Sequence, residues 1–258
     1  MQSARLSLHG KPTSLAAQVD PARARVWLDG IAYAQSELLF EVPTHGAVYG
    51  TALNFRGALA ALGAAVSAAP YLAPPRAPIL YIKPRNTWIG HGAAVYLPAG
   101  HEAVALGPTL GVVIGRAATR VASASALDYV GGYTVVNDLA LPHDSYFRPA
   151  IQQQCRDGFC PIGPWIVEAS AIADPDALPI RAYLNGTLRL QTNLAELIRP
   201  LRQLISDVST FMTLRSGDVL LVGLPENLPL ARAGDLMAIE IEGIGRLENR
   251  LLAEPGAA

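Results

Sequence analysis

The chain has 258 residues, 51% of them hydrophobic and 16% charged, with a net charge of −1. Length and apolar content supply a sizeable core, and the near-neutral balance without a basic block argues against nucleic acid as a main partner. Gly, Pro or charge interrupts each hydrophobic run well before the roughly 18 residues that a membrane span needs, so no membrane partner is expected. The N-terminus, MQSARLSLHGKP, lacks an apolar signal core, which points to a cytoplasmic protein. Cys155 and Cys160 are the only cysteines. With no third or fourth soft ligand nearby, they read as free packing thiols rather than a disulfide or a metal pair.

In chain order, the first twenty residues are weakly patterned and read as a loose arm. Arg25 to Leu28 and Ile31 to Tyr33 flank Asp29-Gly30, a hairpin turn signal that demands positive φ. Glu37 to Val42 is strand-like and runs into Pro43. Ala52 to Ala69 is Ala- and Leu-rich and reads as the main N-terminal helix in spite of Gly57 and Gly63. Tyr71 to Pro78 is a proline-rich, extended crossing segment. From Ile79 on, short β-branched runs recur between Gly and Pro: ILYIKP, AAVYLP, TLGVVIG, YTVVND, IRAYLNG, TLRLQTN, DVLLVG and MAIEIEG. That spacing predicts a sandwich or barrel-like roll rather than alternating βαβ units. A short helix is predicted within Ser123 to Tyr129, with Ser123 or Ser125 as N-cap. A longer one spans Leu194 to Met212, carrying Leu194, Leu197, Ile198, Leu201, Ile205 and Val208 at helical spacing, and Pro200 kinks or breaks it.

The stretch from Gly131 to Trp165 organises the rest. A β-type run, Tyr133 to Val136, stops at Asn137-Asp138 and presents a carboxylate at a sheet rim, where loops on a rigid scaffold carry chemistry. A loop bearing Pro142 and Pro149 follows, then a glutamine run, Cys155-Arg156-Asp157-Gly158-Phe159, and a turn at Pro161, Gly163 and Pro164.

Six segments in one order resemble the fumarylacetoacetate hydrolase family over roughly residues 79 to 252: Tyr81-Ile82-Lys83-Pro84, Gly90-His91-Gly92, LGVVIG, GYTVVND, RDGFCPIGPW, and an ending of SGDV, AGD and IEIEGIGRLEN. Within the family, GTALNF, LPHDSYFRPAI, CRDGFCPIG and LPENLPL resemble the branch of bifunctional isomerase/decarboxylases of 4-hydroxyphenylacetate (homoprotocatechuate) degradation, specifically its N-terminal half or separately encoded first subunit. The resemblance implies a β-rich α+β fold: a mixed β-sandwich roll over residues 76–258, preceded by a small N-terminal subdomain over 1–75. It also implies an oligomer, with a companion subunit or further copies of the chain, acting on an oxo-di- or tricarboxylate.

The family's chemistry uses a divalent ion, Mg²⁺ or Mn²⁺, chelated by a 2-oxo acid so that the ion stabilises the enolate formed as CO₂, an acyl group or a proton leaves. Such hard ions take oxygen ligands. The resemblance assigns two of these to a Glu-x-Glu before the LGVVIG strand and a third to Asp138. Here the Glu-x-Glu positions fall on Gly107 and Thr109, leaving Asp138 as a residual ligand only. Glu102, five positions before Gly107, needs a different backbone path to stand in. The family lysine falls on Gln154, and the Gly-Thr-Pro segment reads Gly223-Leu224-Pro225. The metal centre is therefore expected to be degenerate.

Candidate acid or base groups are His143, Asp144 and Lys83. Candidate substrate-binding residues are Arg148, Arg156, Gln154 and Tyr133, the arginines because guanidinium binds carboxylates bidentately. Each has a structural reading beside the functional one: Asp138 as a turn cap, His143 as a loop histidine, His91 as a turn residue, and the arginines as loop salt bridges. Three functions stay open. One is a subunit of a 5-oxopent-3-ene-1,2,5-tricarboxylate decarboxylase/2-hydroxyhepta-2,4-diene-1,7-dioate isomerase. Another is an acylpyruvate C–C hydrolase, which needs the missing glutamates. The last is a non-catalytic structural subunit.

Overall fold

The β-branched runs from Ile79 onward become strands, as their patterning requires. The computed structural model describes residues 1–143 and 148–256. Among these, the strands form a 12-stranded mixed sheet, a five-stranded sheet and a two-stranded pair. The main path of the large sheet runs, in space, through Ile31–Ala34, Arg25–Leu28, Leu15–Asp20, Gln2–Leu8, Cys160–Glu168, Val130–Asn137, Pro108–Ile114, Val219–Leu221, Val48–Ala52 and Ile79–Lys83. The smaller sheet runs Thr187–Asn193, Pro179–Leu184, Leu236–Ile241, Gly245–Ala253, Val95–Leu97. The fold is α+β and β-rich, with the large apolar core drawing on both sheets and on the helix Leu201–Phe211.

Three expectations change. The first twenty residues are no loose arm: Gln2–Leu8 pairs with both Leu15–Asp20 and Cys160–Glu168, burying Ala4, Leu6 and Val19. Alternation there is short, but the inward positions are apolar, and pairing with a buried strand fixes them. The Ala-rich segment yields a five-residue helix, Arg56–Ala60, then a 3-10 turn at Gly63–Ser67. Gly63 has φ +51° and ends the α-helical path; none of the helix's residues is buried, so no packing offsets the break. The proline-bearing Pro161-Ile162-Gly163-Pro164 is not a turn but lies in a nine-residue strand, Cys160–Glu168, buried over its first eight positions. Its register against Val130–Asn137 slips between Tyr133 and Val135, opposite Pro164, so that proline needs no ladder donor.

Elsewhere the reading holds with adjustments. Asp29 and Gly30 take positive φ in the expected hairpin. Glu37 to Val42 keeps only Phe40–Glu41 as strand, since a 3-10 turn takes Gln35–Glu37. Ser123–Tyr129 is a 3-10 helix capped by Ala122 rather than by either serine. Pro200 breaks the long helix: Leu194–Glu196 is a 3-10 turn, and Leu201–Phe211 starts afresh with Asp176 Oδ1 accepting the Leu201 N–H at 2.8 Å. Leu201, Leu204, Ile205 and Val208 then form one buried stripe. The two Gly-Asp motifs near the C-terminus are turn devices. Asp218 accepts the Arg215 N–H at 2.7 Å and Asp235 the Arg232 N–H at 2.8 Å, each three residues back.

Candidate functional site

Val130–Asn137 alternates between two cores. Tyr133 and Val135 face the large one, and Val136 faces a smaller cluster with Val113, Ile162 and Val219. Period-two geometry thus puts Tyr133 and Asp138 on opposite sides of the sheet. Tyr133 is core packing, its hydroxyl pushed up to about 12 by burial and then by the Asp176 carboxylate. The structure does not bring it to the rim.

At the rim, Asp138 is 2% exposed and Lys83 0% exposed, and Lys83 Nζ stands 2.8 Å from Asp138 Oδ1. The ammonium donates to the backbone oxygens of Leu139 at 3.1 Å and Gln154 at 2.6 Å, and meets Asp138 Oδ1 as an ion pair. The other carboxylate oxygen, Oδ2, accepts a hydrogen bond from the Tyr81 hydroxyl. Tyr81 and Lys83 share one face of the edge strand Ile79–Lys83, two residues apart. Tyr81 was not singled out from sequence, although that alternation is the signal that finds it. Its ring crosses Gly50 on the neighbouring strand, where a Cβ would stand 2.1 Å from the ring.

Above this pair lies a cavity of about 460 Å³, within the range of small-molecule sites. Tyr81, Gln154, His143 and Arg148 line it, with Leu224 and Pro225 of the Gly223-Leu224-Pro225 segment. His143 Nε2 lies 3.3 Å from the Gln154 side-chain nitrogen. Gln154, His143 and Arg148 thus line one cavity, and the Lys83–Asp138 pair adjoins it through Tyr81 and Gln154 without lining it. Arg156 does not line it: its Nε donates to the Gln152 carbonyl at 2.9 Å, the local structural role. Asp144 lies outside the described residues. Glu102 is exposed in a loop and does not line the cavity. Thr51, overlooked in the sequence, also lines it; Thr51 is 2% exposed, and its Oγ1 has no hydrogen-bond partner among the described residues.

The donor set here does not fit a three-carboxylate metal site. Asp138 brings one carboxylate, already taken up by an ammonium and a hydroxyl. A Cβ on Gly107 would lie 2.0 Å from the Asp138 backbone oxygen, so no side chain fits that backbone. Thr109 is 0% exposed with Oγ1 unpaired among the described residues. Among the described residues no group of three or more His, Cys, Asp or Glu side chains is placed to hold a metal ion.

Two larger clefts, about 970 and 640 Å³, share Gln35 and His91 on another part of the surface. In the larger one Arg246 stands 2.7 Å from Glu248 and 3.2 Å from Glu240. Cys155 is half-buried beside the rim and Cys160 buried in the smaller cluster; both are free thiols, and burial pushes each thiol up. Among the described residues no helix is long and apolar enough to cross a membrane.

His91 is structural. Its Nδ1 accepts the Glu248 N–H at 3.0 Å, the Gln35 amide lies 3.1 Å from Nε2, and its ring meets Phe40 edge-on. Burial holds its pKa down to about 4 against a small opposing pull from Glu248. Its folded pKa lies below the unfolded value, so the neutral ring's contribution is complete above pH 6.5 and is lost as pH falls from 6.5 through 4. Urea titrations at pH 7 and pH 4 are expected to differ by up to about 3 kcal/mol from this group. His91→Asn, which keeps an acceptor for Glu248, should flatten that part of the profile. An unchanged slope would show that His91 is not its source.

Residues 47–252 match the family model described as fumarylacetoacetate (FAA) hydrolase C-terminal. The chain is 42% identical over 209 residues to the 4-hydroxyphenylacetate degradation bifunctional isomerase/decarboxylase of Salmonella dublin, covering 81% of this chain and 48% of that protein. It thus spans about half the length of the curated relative it matches. In fold it is similar to the 5-carboxymethyl-2-hydroxymuconate delta-isomerase of Mycobacterium smegmatis, with TM-score 0.78 and 27% identity over 98% of this chain and 99% of that one. A maleylpyruvate hydrolase of Sphingobium sp. SYK-6, crystallised with manganese(II) and pyruvate, shares the fold at TM-score 0.77 and 21% identity over 97% of this chain and 99% of that one.

Proposed function

Because the chain belongs to the fumarylacetoacetate hydrolase family, whose relatives here are named as isomerases and decarboxylases, we propose that it is one subunit of a 4-hydroxyphenylacetate-degrading decarboxylase/isomerase whose competent metal centre lies on a companion chain or domain. The reactions served are decarboxylation of a 5-oxopent-3-ene-1,2,5-tricarboxylate and isomerisation of 2-hydroxyhepta-2,4-diene-1,7-dioate. The observation that carries this reading is the Lys83 ammonium, which occupies the Asp138 carboxylate from 2.8 Å where the family's chemistry calls for a divalent ion. A lone carboxylate neutralised in this way has no charge left to hold Mg²⁺ or Mn²⁺. The match covers 48% of the Salmonella dublin relative, and the rest of that protein gives room for a second unit to supply the centre.

The test is turnover of both substrates by the purified chain, with and without Mg²⁺ or Mn²⁺, then with the companion added. The isolated chain is expected to be inert under both metal conditions and to raise the companion's activity or stability. Metal-dependent turnover by the chain alone would overturn the proposal.

A further inference from the structure

The cleft of about 640 Å³ shares no lining residue with the rim cavity. Trp88 forms part of its wall, and the indole is fixed there. Its Nε1 donates to the Lys83 carbonyl at 2.8 Å, and the ring packs against the smaller core cluster. Arg85 lies over that ring, with Cζ 4.9 Å from its centre. The stack orients the guanidinium, yet Arg85 makes no ion pair or hydrogen bond among the described residues, so its N–H fork stays unused. Glu41, the one carboxylate lining the cleft among those residues, stands 2.8 Å from His9 instead. Leu39, 74% exposed, and half-buried Ile89 make one side of the wall apolar.

His91, which also lines the cleft, holds a second unused donor. Its Nδ1 accepts the Glu248 N–H, so the neutral ring carries its proton on Nε2. Gln35 Nε2 lies 3.1 Å from that nitrogen and 3.4 Å from Nδ1. A point so near to both lies over the face of the ring, out of line with the N–H, and an amide nitrogen does not accept. The His91 Nε2–H therefore has no acceptor among the described residues.

We propose that this cleft is a second ligand site, separate from the rim, for a small organic acid with one carboxylate and an apolar body. The carboxylate takes the Arg85 fork, which matches it bidentately. The hydrocarbon covers Leu39 and Ile89, and His91 offers its Nε2–H from the same wall. The volume is that of a small-molecule site. This assignment goes beyond the proposed reactions and does not depend on the reading of the metal centre.

Isothermal titration of the whole purified chain with 3-phenylpropionate tests it, beside the neutral 3-phenylpropanamide and inorganic phosphate. One 3-phenylpropionate per chain is expected, bound at least about tenfold more tightly than the amide, which lacks the charge, or phosphate, which lacks the apolar body. Arg85→Gln, at an exposed position, should weaken it by about tenfold or more, whereas Arg148→Gln in the rim cavity should leave it unchanged. Long-range ¹H–¹⁵N spectra should show the His91 ring signals shifting as the acid is added. No binding, an amide or phosphate as tight as the acid, or unmoved His91 signals would each overturn the assignment. A loss caused by Arg148→Gln and not by Arg85→Gln would place the acid in the rim cavity and overturn it too.

Discussion

Lys83→Met is expected to cost about 3–5 kcal/mol of folding stability, the range found when one partner of a buried ion pair is removed. Methionine nearly matches the lysine stem in volume, so packing changes little and the loss is electrostatic. Without the ammonium, the Asp138 carboxylate stays 2% exposed with only the Tyr81 hydroxyl to meet its charge. The carbonyls of Leu139 and Gln154 lose their side-chain donor as well, each a lost bond of about 1 kcal/mol net. Adding Asp138→Asn should recover a good part of the loss, because a neutral amide is far cheaper to bury than an unpaired charge. Urea denaturation of wild type, single and double variants measures this as a cycle. A single variant within about 1 kcal/mol of wild type would show that Lys83 is not what balances Asp138.

The same pair shows how far the sequence could be read. The Asn137-Asp138 rim and the Lys83-Pro84 strand end were both visible, because a β-branched run stopping at polar residues marks a sheet edge. That the two meet was not visible: they lie 55 positions apart, and only the order of strands brings Ile79–Lys83 and Val130–Asn137 to one end of the sheet. Tyr133 failed as a site residue for a reason the sequence did contain, since an odd separation from Asp138 along a strand means opposite faces. Thr51 was hidden for the opposite reason. A threonine in a strand reads as a good β-former, and nothing local says that its hydroxyl ends without a partner. In the fold, prolines misled the reading of Cys160–Glu168, because a bulge in the neighbouring ladder removes the need for the Pro164 N–H. Alanine misled the reading of residues 52 to 69: helix propensity without a buried face does not hold a long helix across Gly63.

Gly107→Glu, at the position that the family resemblance assigns to the first glutamate, is expected to destabilise the chain by upwards of about 5 kcal/mol, combining overpacking with burial of an unpaired carboxylate. The clash is with backbone, not with a side chain that can swing away: a Cβ at this position would lie 2.0 Å from the Asp138 carbonyl oxygen and 2.6 Å from its carbon. The two backbones are also tied there, with Asp138 N–H donating to Gly107 O at 2.8 Å and Gly107 N–H to Asn137 Oδ1 at 2.9 Å. Making room for any side chain means parting those bonds and moving the rim that carries Asp138. Gly107→Ala isolates the steric part and should cost about 1–3 kcal/mol. Thr109→Val, at the second family position, should go the other way or change nothing, since it removes a buried hydroxyl that has no partner among the described residues. Thermal unfolding reads all three, at about 2–4 °C for each kcal/mol in a chain of this size. Mn²⁺ added to Gly107→Glu/Thr109→Glu is expected to give no rise in melting temperature, because Lys83 still holds Asp138. A clear rise with Mn²⁺ would mean that the rim moves freely enough to form a centre, and that glutamates at these two positions alone suffice to make this chain bind metal.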